Sequence, residues 1–446
     1  MDALTLARVQ FAVTAGFHYL FPPISIGLGW LLVIAEWFAW KRQDAAYEAV
    51  GKLFGKLFAV TFAVGVATGI VMEFQFGTNW SAYSRFVGDV FGAPLAAEGL
   101  FAFFLESTFL GVYLWGRGRV SRRLHWFSAL MVAVGATLSA LWIIIANSWQ
   151  QTPAGYVVRN GRAELTDFWA AALNPSTLPR YAHTVIAALV VGAFIMAGVS
   201  AWHLLRDPRA PFARKALKLA VAWGLVVSCL EAMPSGHLHA QQVARTQPEK
   251  FAAIEGLYTS QSGAPLVLFA VPFSDPPTLR AKVEIPGLLS WMAFGDASAH
   301  VQGIDQFAPE NRPPLWLTFV SFHNMVALGG WFIALMAWAA WQLYRGKLFE
   351  DRRTLRLLLW SMPLPLAACE LGWVAAEVGR QPWIVYGLLR TGQAHSPAVS
   401  AAEIAFSLGL FGLVYLGLFA LWLTLMIRKA RIAPAVDVEP AARAAA

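Results

Sequence analysis

Nine stretches of this chain stay apolar for long enough to cross a lipid bilayer, which takes about 20 helical residues. Their cores run over 8–40, 52–78, 93–115, 124–147, 182–205, 216–235, 314–344, 354–378 and 401–427. In hydrocarbon every backbone N–H and C=O must find a partner within the protein, so runs of this length fold as helices. The expectation is an all-α, polytopic membrane helix bundle. Of 446 residues, 58% are hydrophobic and 13% charged, against about half and a quarter in soluble domains. The net charge of +8 is therefore no argument for nucleic-acid binding, because Lys and Arg in such chains mark cytoplasmic loops. Cys229 and Cys369 both lie inside apolar stretches, which disfavours a structural disulfide or a cysteine-built metal site. The first residues lack the pattern of a cleavable signal, so the first span is expected to direct insertion.

The connections alternate in charge. Those after segments one, three, five and seven carry clusters such as Arg117, Arg119, Arg122 and Arg123, and Arg428, Lys429 and Arg431 follow the ninth. The positive-inside rule then puts the N-terminus outside and the C-terminus in the cytoplasm. Four regions are expected: spans one to six over 1–235, a long polar outer loop over 236–313, spans seven to nine over 314–430, and a disordered cytoplasmic tail over 431–446.

Ionisable side chains inside a membrane are costly and mark function by default. His18, Glu73, Glu98, Glu106, His183, His323, Glu377 and Arg380 stand in or at the ends of spans, with Met325 beside His323. On the expected topology, His18, His183, Met325 and Glu377 fall in the outer half of the bilayer on four separate helices. Imidazole, thioether and carboxylate, each contributed singly, suit haem iron. Copper or zinc would draw several histidines together. Glu98 and Glu106 would lie about 12 Å apart along a regular helix and about 80° around it, suited to two stations of a proton relay or to a hydrogen-bonded helix pair. His125 and His203 read as structural, and His237, His239, His300 and His395 as solvated loop residues.

The segments "RVQFAVTAGFHYLFPP", "MEFQFGTNW", "GAPLAAEGLFAFFLESTFLG", "NSWQQTPAG", "YAHTVIAAL", "QPEKFAAIEG", "SFHNMVALG" and "EVGRQPW" occur in this order along the chain. With them the chain resembles subunit I of the cytochrome bd quinol oxidases over nearly its full length. The resemblance implies that His183 and Met325 are the axial pair of a low-spin b-type haem. It implies that His18 and Glu377 serve two high-spin haems, one b-type and one haem d, or a further b-type haem in its place. Glu98 and Glu106 would carry protons from the cytoplasm toward the haems, with Ser107 and Ser139 as relays. Lys250 and Glu255 would bind quinol, ubiquinol or menaquinol, at the outer face. Arg380, Gln381, Pro382 and Trp383 match the signature after the carboxylate ligand, with Arg380 facing haem propionates.

Two positions depart from the family pattern. His323 stands where Arg is common, so a fixed cation near the low-spin haem becomes a titratable one. Gln150 stands where Met is usual.

The function implied is quinol oxidation outside coupled to reduction of O2 to water, generating proton motive force without proton pumping. The partners implied are subunit II and a small single-helix subunit, in a bacterial inner membrane. A proton-coupled transporter and a haem-binding quinone sensor without oxidase activity are the alternatives.

Overall fold

The computed structural model of the chain describes residues 1–274 and 277–435. Among them are nine helical spans of membrane length: Ala3–Arg42, Ala45–Thr78, Ser81–Trp115, Arg122–Gln151, Thr177–Leu204, Pro211–Thr246, Leu315–Tyr344, Arg352–Val378 and Ala401–Arg431. Each overlaps one expected core. The differences lie where the helices bend.

The first span stops at Tyr19 and restarts at Pro22. Pro22 and Pro23 lack the N–H that a helix interior needs, but fit at the start of a new helix, where that N–H has no partner anyway. In the third span Pro94 is followed by a wide π turn over Glu98–Phe103. The sixth span kinks at Met233, whose backbone is extended (φ −141°, ψ 119°) just before Pro234, and a helix over His237–Thr246 follows. The segment expected to begin at 236 therefore opens on this helix. A π turn such as that at Glu98–Phe103 re-aims side chains within an otherwise continuous helix.

The first and fifth spans cross backbone to backbone. A Cβ on Gly27 would collide with the carbonyl of Ala188 and the backbone of Gly192. Small residues at such crossings allow close helix approach within a membrane. Around this crossing Phe54, Phe58, Phe194 and Met336 form a fully buried core. Polar ties secure the ninth span: Trp422 Nε1 donates to Thr61 Oγ1 at 3.2 Å, and His203 Nε2 meets the carbonyl of Ala430 at 2.8 Å.

The outer segment is folded. It holds a helix over Pro248–Glu255, an antiparallel hairpin of Leu266–Ser274 with Pro277–Ile285, and a short helix over Leu288–Phe294. The Pro248–Glu255 helix ends on Gly256, at φ 67°, a left-handed position that glycine takes without strain. The last span ends at Arg431; most of the expected tail, 436–446, lies outside the described residues.

Candidate functional site

The C-terminal turn of the fourth span presents three amides, Asn147, Gln150 and Gln151, toward the end of the eighth span. There Glu377 is surrounded by cations. Arg380 Nη2 is 2.5 Å from Glu377 Oε2, and Arg180 Nη2 is 3.7 Å from Oε1. Asn147 and Gln151 each donate to Glu377 Oε1 at 3.2 Å. The same amides accept from the cations: Arg180 Nη2 to Asn147 Oδ1 at 2.5 Å, Lys250 Nζ to Gln151 Oε1 at 2.6 Å, and Arg380 Nη1 to Gln150 Oε1 at 2.8 Å. Each of the three cations is thus bonded to one of these amides, Lys250 also to Gln247, and two of the three amides bond onward to one carboxylate. Buried charges need such partners. Arg180, Lys250 and Arg380 are all buried, and the Nε atoms of both arginines have no partner among the described residues. The excess positive charge and the open N–H groups suit the propionates of a haem.

The proposed nitrogen ligands have defined tautomers. His183 Nδ1 lies 3.0 Å from Glu231 Oε1 and 3.2 Å from Ser235 Oγ. Ser235 itself donates to Glu231 Oε2 at 3.0 Å. His18 Nδ1 lies 3.0 Å from Thr68 Oγ1, whose own proton goes to the backbone carbonyls of Val64 and Gly65. In both rings the proton belongs on Nδ1, and Nε2 keeps its lone pair for a metal. Met325 faces Gly372 on the eighth span, where a Cβ would lie 2.9 Å from Sδ. Gly69 and Gly236 likewise leave room beside His18 and His183. Among the described residues no three His, Cys, Asp or Glu side chains group as a metal cage. Single ligands of these types beside glycine clearances fit haem iron, whose porphyrin supplies the other donors.

Glu98 and Glu106 both face the fourth span. Ser139 Oγ donates to Glu98 Oε1 at 2.7 Å, and a Cβ on Gly135 would lie 2.9 Å from Glu106 Cβ. Gly135 and Ser139 are one helical turn apart, about 6 Å. The π turn at Glu98–Phe103 breaks the regular spacing that a continuous α-helix would impose. Glu106 is buried, and its Oε1 has no partner among the described residues. Ser107 turns its hydroxyl to the carbonyl of Phe104 instead.

Lys250 and Glu255 are buried, not solvated, at 3% and 5% exposure. Burial and the nearby Arg180 guanidinium hold the Lys250 amine well below its usual range, against the pull of Glu377. Burial pushes the Glu255 carboxyl up to about 8. Five positions apart on one helix, they point about 140° away from each other. Lys250 joins the Glu377 cluster and packs against Gly379, while Glu255 Oε2 has no partner among the described residues.

His323 ties the hairpin to the seventh span. Its ring nitrogens lie 3.0 Å from the carbonyl of Val267 and 3.1 Å from that of Phe319. His239 is not a solvated loop residue: it sits on the sixth span's extension with its ring 5.2 Å from that of His183. His300 is exposed, as expected. Trp383 is half-buried under the Arg390 guanidinium, 4.7 Å from its ring centre.

Sequence reasoning passed over Arg180, Glu231, Glu370 and Glu36. All four stand within or at the edge of apolar stretches, the same signal that singled out Glu377. Glu370 Oε1 is buried without a partner among the described residues. Glu36, near the other end of the first span, pairs with Arg117, lies 3.4 Å from His125 Nδ1 and accepts from the Tyr113 hydroxyl at 3.2 Å. That cluster clamps the cytoplasmic ends of the first four spans and accounts for His125 as a structural residue.

Comparison with known proteins shows the family of the chain. The family model described as cytochrome bd terminal oxidase subunit I matches residues 6–434. The chain is 40% identical over 440 residues to cytochrome bd ubiquinol oxidase subunit 1 of Bacillus subtilis, covering 96% of this chain and 94% of that one. It is 35% identical to cytochrome bd-II ubiquinol oxidase subunit 1 of Escherichia coli, covering 97% of each. The solved bd oxidase of Geobacillus thermodenitrificans superposes with a TM-score of 0.91 at 32% identity, over 96% of this chain and 98% of that one. With one family model running from the first span to beyond the ninth, and a solved member sharing the bundle, the chain belongs to the cytochrome bd terminal oxidase subunit I family.

Proposed function

We propose that this chain is the haem-bearing subunit of an electrogenic quinol oxidase, taking electrons from quinol at the outer membrane face and delivering them to O2. The observation that carries the reading is the Glu377 cluster, where a carboxylate held by two amides and two arginines is tied through Gln151 to the buried lysine of the outer segment. His183 and Met325 are assigned to a low-spin b-type haem. His18 and Glu377 are assigned to two high-spin haems, a b-type haem and haem d or a further b-type haem. Bound haem supplies one-electron transfer and O2 chemistry. The chain's own residues bind the substrate, orient the ligands and move protons. Subunit II, a small single-helix subunit and ubiquinol or menaquinol complete the proposed assembly. The deciding experiment is a reduced-minus-oxidised visible spectrum of the purified protein together with quinol-driven O2 consumption. Absence of haem bands would reject the reading.

In this reading Glu255 accepts a hydroxyl proton from quinol, and Lys250 steadies the charge that develops as electrons leave. Lys250→Ala and Glu255→Ala are each expected to cut quinol-driven O2 uptake by about a hundredfold, within the range of a lost acid–base group. Only the anionic form of Glu255 accepts a proton, and its carboxyl is pushed up to about 8 by burial. The wild-type rate should therefore rise from pH 6 toward pH 8 and then level off, at about tenfold per unit on the rising limb. Glu255→Ala should flatten that limb. Survival of the limb in the variant would remove Glu255 from the proton step. Glu255→Ala should leave electron delivery by a small redox mediator intact. Lys250→Ala touches the Glu377 cluster and should also disturb the haem served by Glu377.

Glu106 and Glu98, on the third span and facing the fourth, are assigned to the proton route from the cytoplasm to the haems. Glu106→Gln keeps size and hydrogen bonding but cannot carry a proton. Haems should assemble normally while turnover and membrane-potential generation fall together, by about ten- to a hundredfold. Wild-type values of both would exclude Glu106 from the route.

A further inference from the structure

We propose that Gln150 is a positioning residue that keeps Arg380 from closing both of its arms on Glu377, and so leaves the carboxylate free to bind iron strongly. The inference deepens the proposed role of Glu377 as an iron ligand and rests on it. Gln150 is 8% exposed and is held at every polar atom. Its Oε1 accepts from Arg380 Nη1 at 2.8 Å, its Nε2 donates to the Tyr83 hydroxyl, and its backbone carbonyl accepts from the Tyr386 N–H at 2.9 Å. Only this orientation of the amide pairs donors with acceptors, because the reverse would set its NH2 against the guanidinium. Tyr83 is a fixed anchor: it is 2% exposed and its ring packs on Phe76 and Phe91.

A guanidinium beside a carboxylate ordinarily takes it through two parallel N–H bonds, one to each oxygen. Here only Nη2 reaches Glu377, at Oε2, and Nη1 is committed to Gln150. Glu377 Oε1 instead receives the amide N–H groups of Asn147 and Gln151, both at 3.2 Å, with the Arg180 guanidinium beyond hydrogen-bond reach at 3.7 Å. These neutral donors withdraw less of the carboxylate's charge than a second guanidinium arm would. A more strongly donating anionic ligand favours ferric over ferrous iron. Gln150 thereby lowers the midpoint potential of the haem that Glu377 serves.

The test is Gln150→Met, which keeps the length and volume of the side chain and removes both of its polar ends. Potentiometric titration of the haem that disappears in Glu377→Ala should show a higher midpoint in Gln150→Met. The expected change is about tenfold in the ferric/ferrous ratio, the scale of one charge-assisted hydrogen bond, or ~59 mV for one electron. Tyr83→Phe loosens the anchor and should shift the same haem in the same direction by less. The double variant should go no further than Gln150→Met alone, as expected of coupled neighbours. The low-spin haem's midpoint should not move. An unchanged or lowered midpoint, or equal shifts at both haems, overturns the proposal. If Gln150→Met does not assemble, Tyr83→Phe decides alone, and no shift there overturns it. If Glu377→Ala retains every haem, the ligand reading itself falls and this inference with it. If Glu377→Ala loses the haem while neither Gln150 nor Tyr83 variants shift it, only the role of Gln150 falls.

Discussion

His183→Ala is expected to abolish the low-spin haem band and quinol-driven O2 consumption together, and Met325→Leu to do the same. A six-coordinate haem of this type needs both axial ligands. The Glu231 and Ser235 contacts hold the His183 ring in one tautomer and one orientation, so alanine removes a donor whose lone pair is fixed in place. Leucine at 325 keeps the packing against Gly372 but offers iron no lone pair. Activity should fall by more than about a hundredfold, beyond what loss of a supporting hydrogen bond alone causes. The remaining haem bands should persist. An unchanged low-spin spectrum in both variants would refute the assignment.

Glu377→Ala should have the second large effect. Three buried cations, Arg180, Lys250 and Arg380, would then face one another across the amides with no anion among them. Breaking a buried charge cluster on one side costs on the order of several kcal/mol. The variant should lose one high-spin haem and melt at a lower temperature. Glu377→Gln should recover much of the packing and none of the ligation, so stability and haem content should separate. Wild-type haem content in both variants would show that the carboxylate serves the cations alone.

The bundle was legible because hydrocarbon permits so few solutions: a long apolar run has to be a helix. All nine spans follow from that one constraint. The helix irregularities did not follow. Pro94 and Pro234 announce a disturbance, but whether a proline breaks a helix, kinks it or is absorbed in a π turn depends on what the neighbouring helices offer the freed carbonyls. The helix over His237–Thr246 that brings His239 beside His183 is accordingly not legible in the sequence. The candidate site was partly legible for a related reason. Glu377 and Arg380 stand out as charges in an apolar setting, as Arg180 and Glu231 also do on a stricter reading. Asn147, Gln150 and Gln151 do not stand out, because neutral amides near a helix end are common. Only the fold brings Gln151 between Lys250 and Glu377, residues more than a hundred positions apart in the chain, and Asn147 between Arg180 and Glu377. The burial of Lys250 and Glu255 was hidden too, since the surrounding stretch looks polar until the helix over Pro248–Glu255 packs.

The glycine crossing of the first and fifth spans also bears on how far an electron must jump. Gly27 stands nine residues beyond His18, and Gly192 nine residues beyond His183. Both proposed ligands therefore lie on the outer side of one backbone contact, each carried on an arm that starts from it. Tunnelling between redox centres falls steeply with separation, so whatever sets the spread of these two arms sets the internal transfer rate. In the proposed assignment that spread is set by a contact between two residues with no side chains, nine positions along the chain from either ligand.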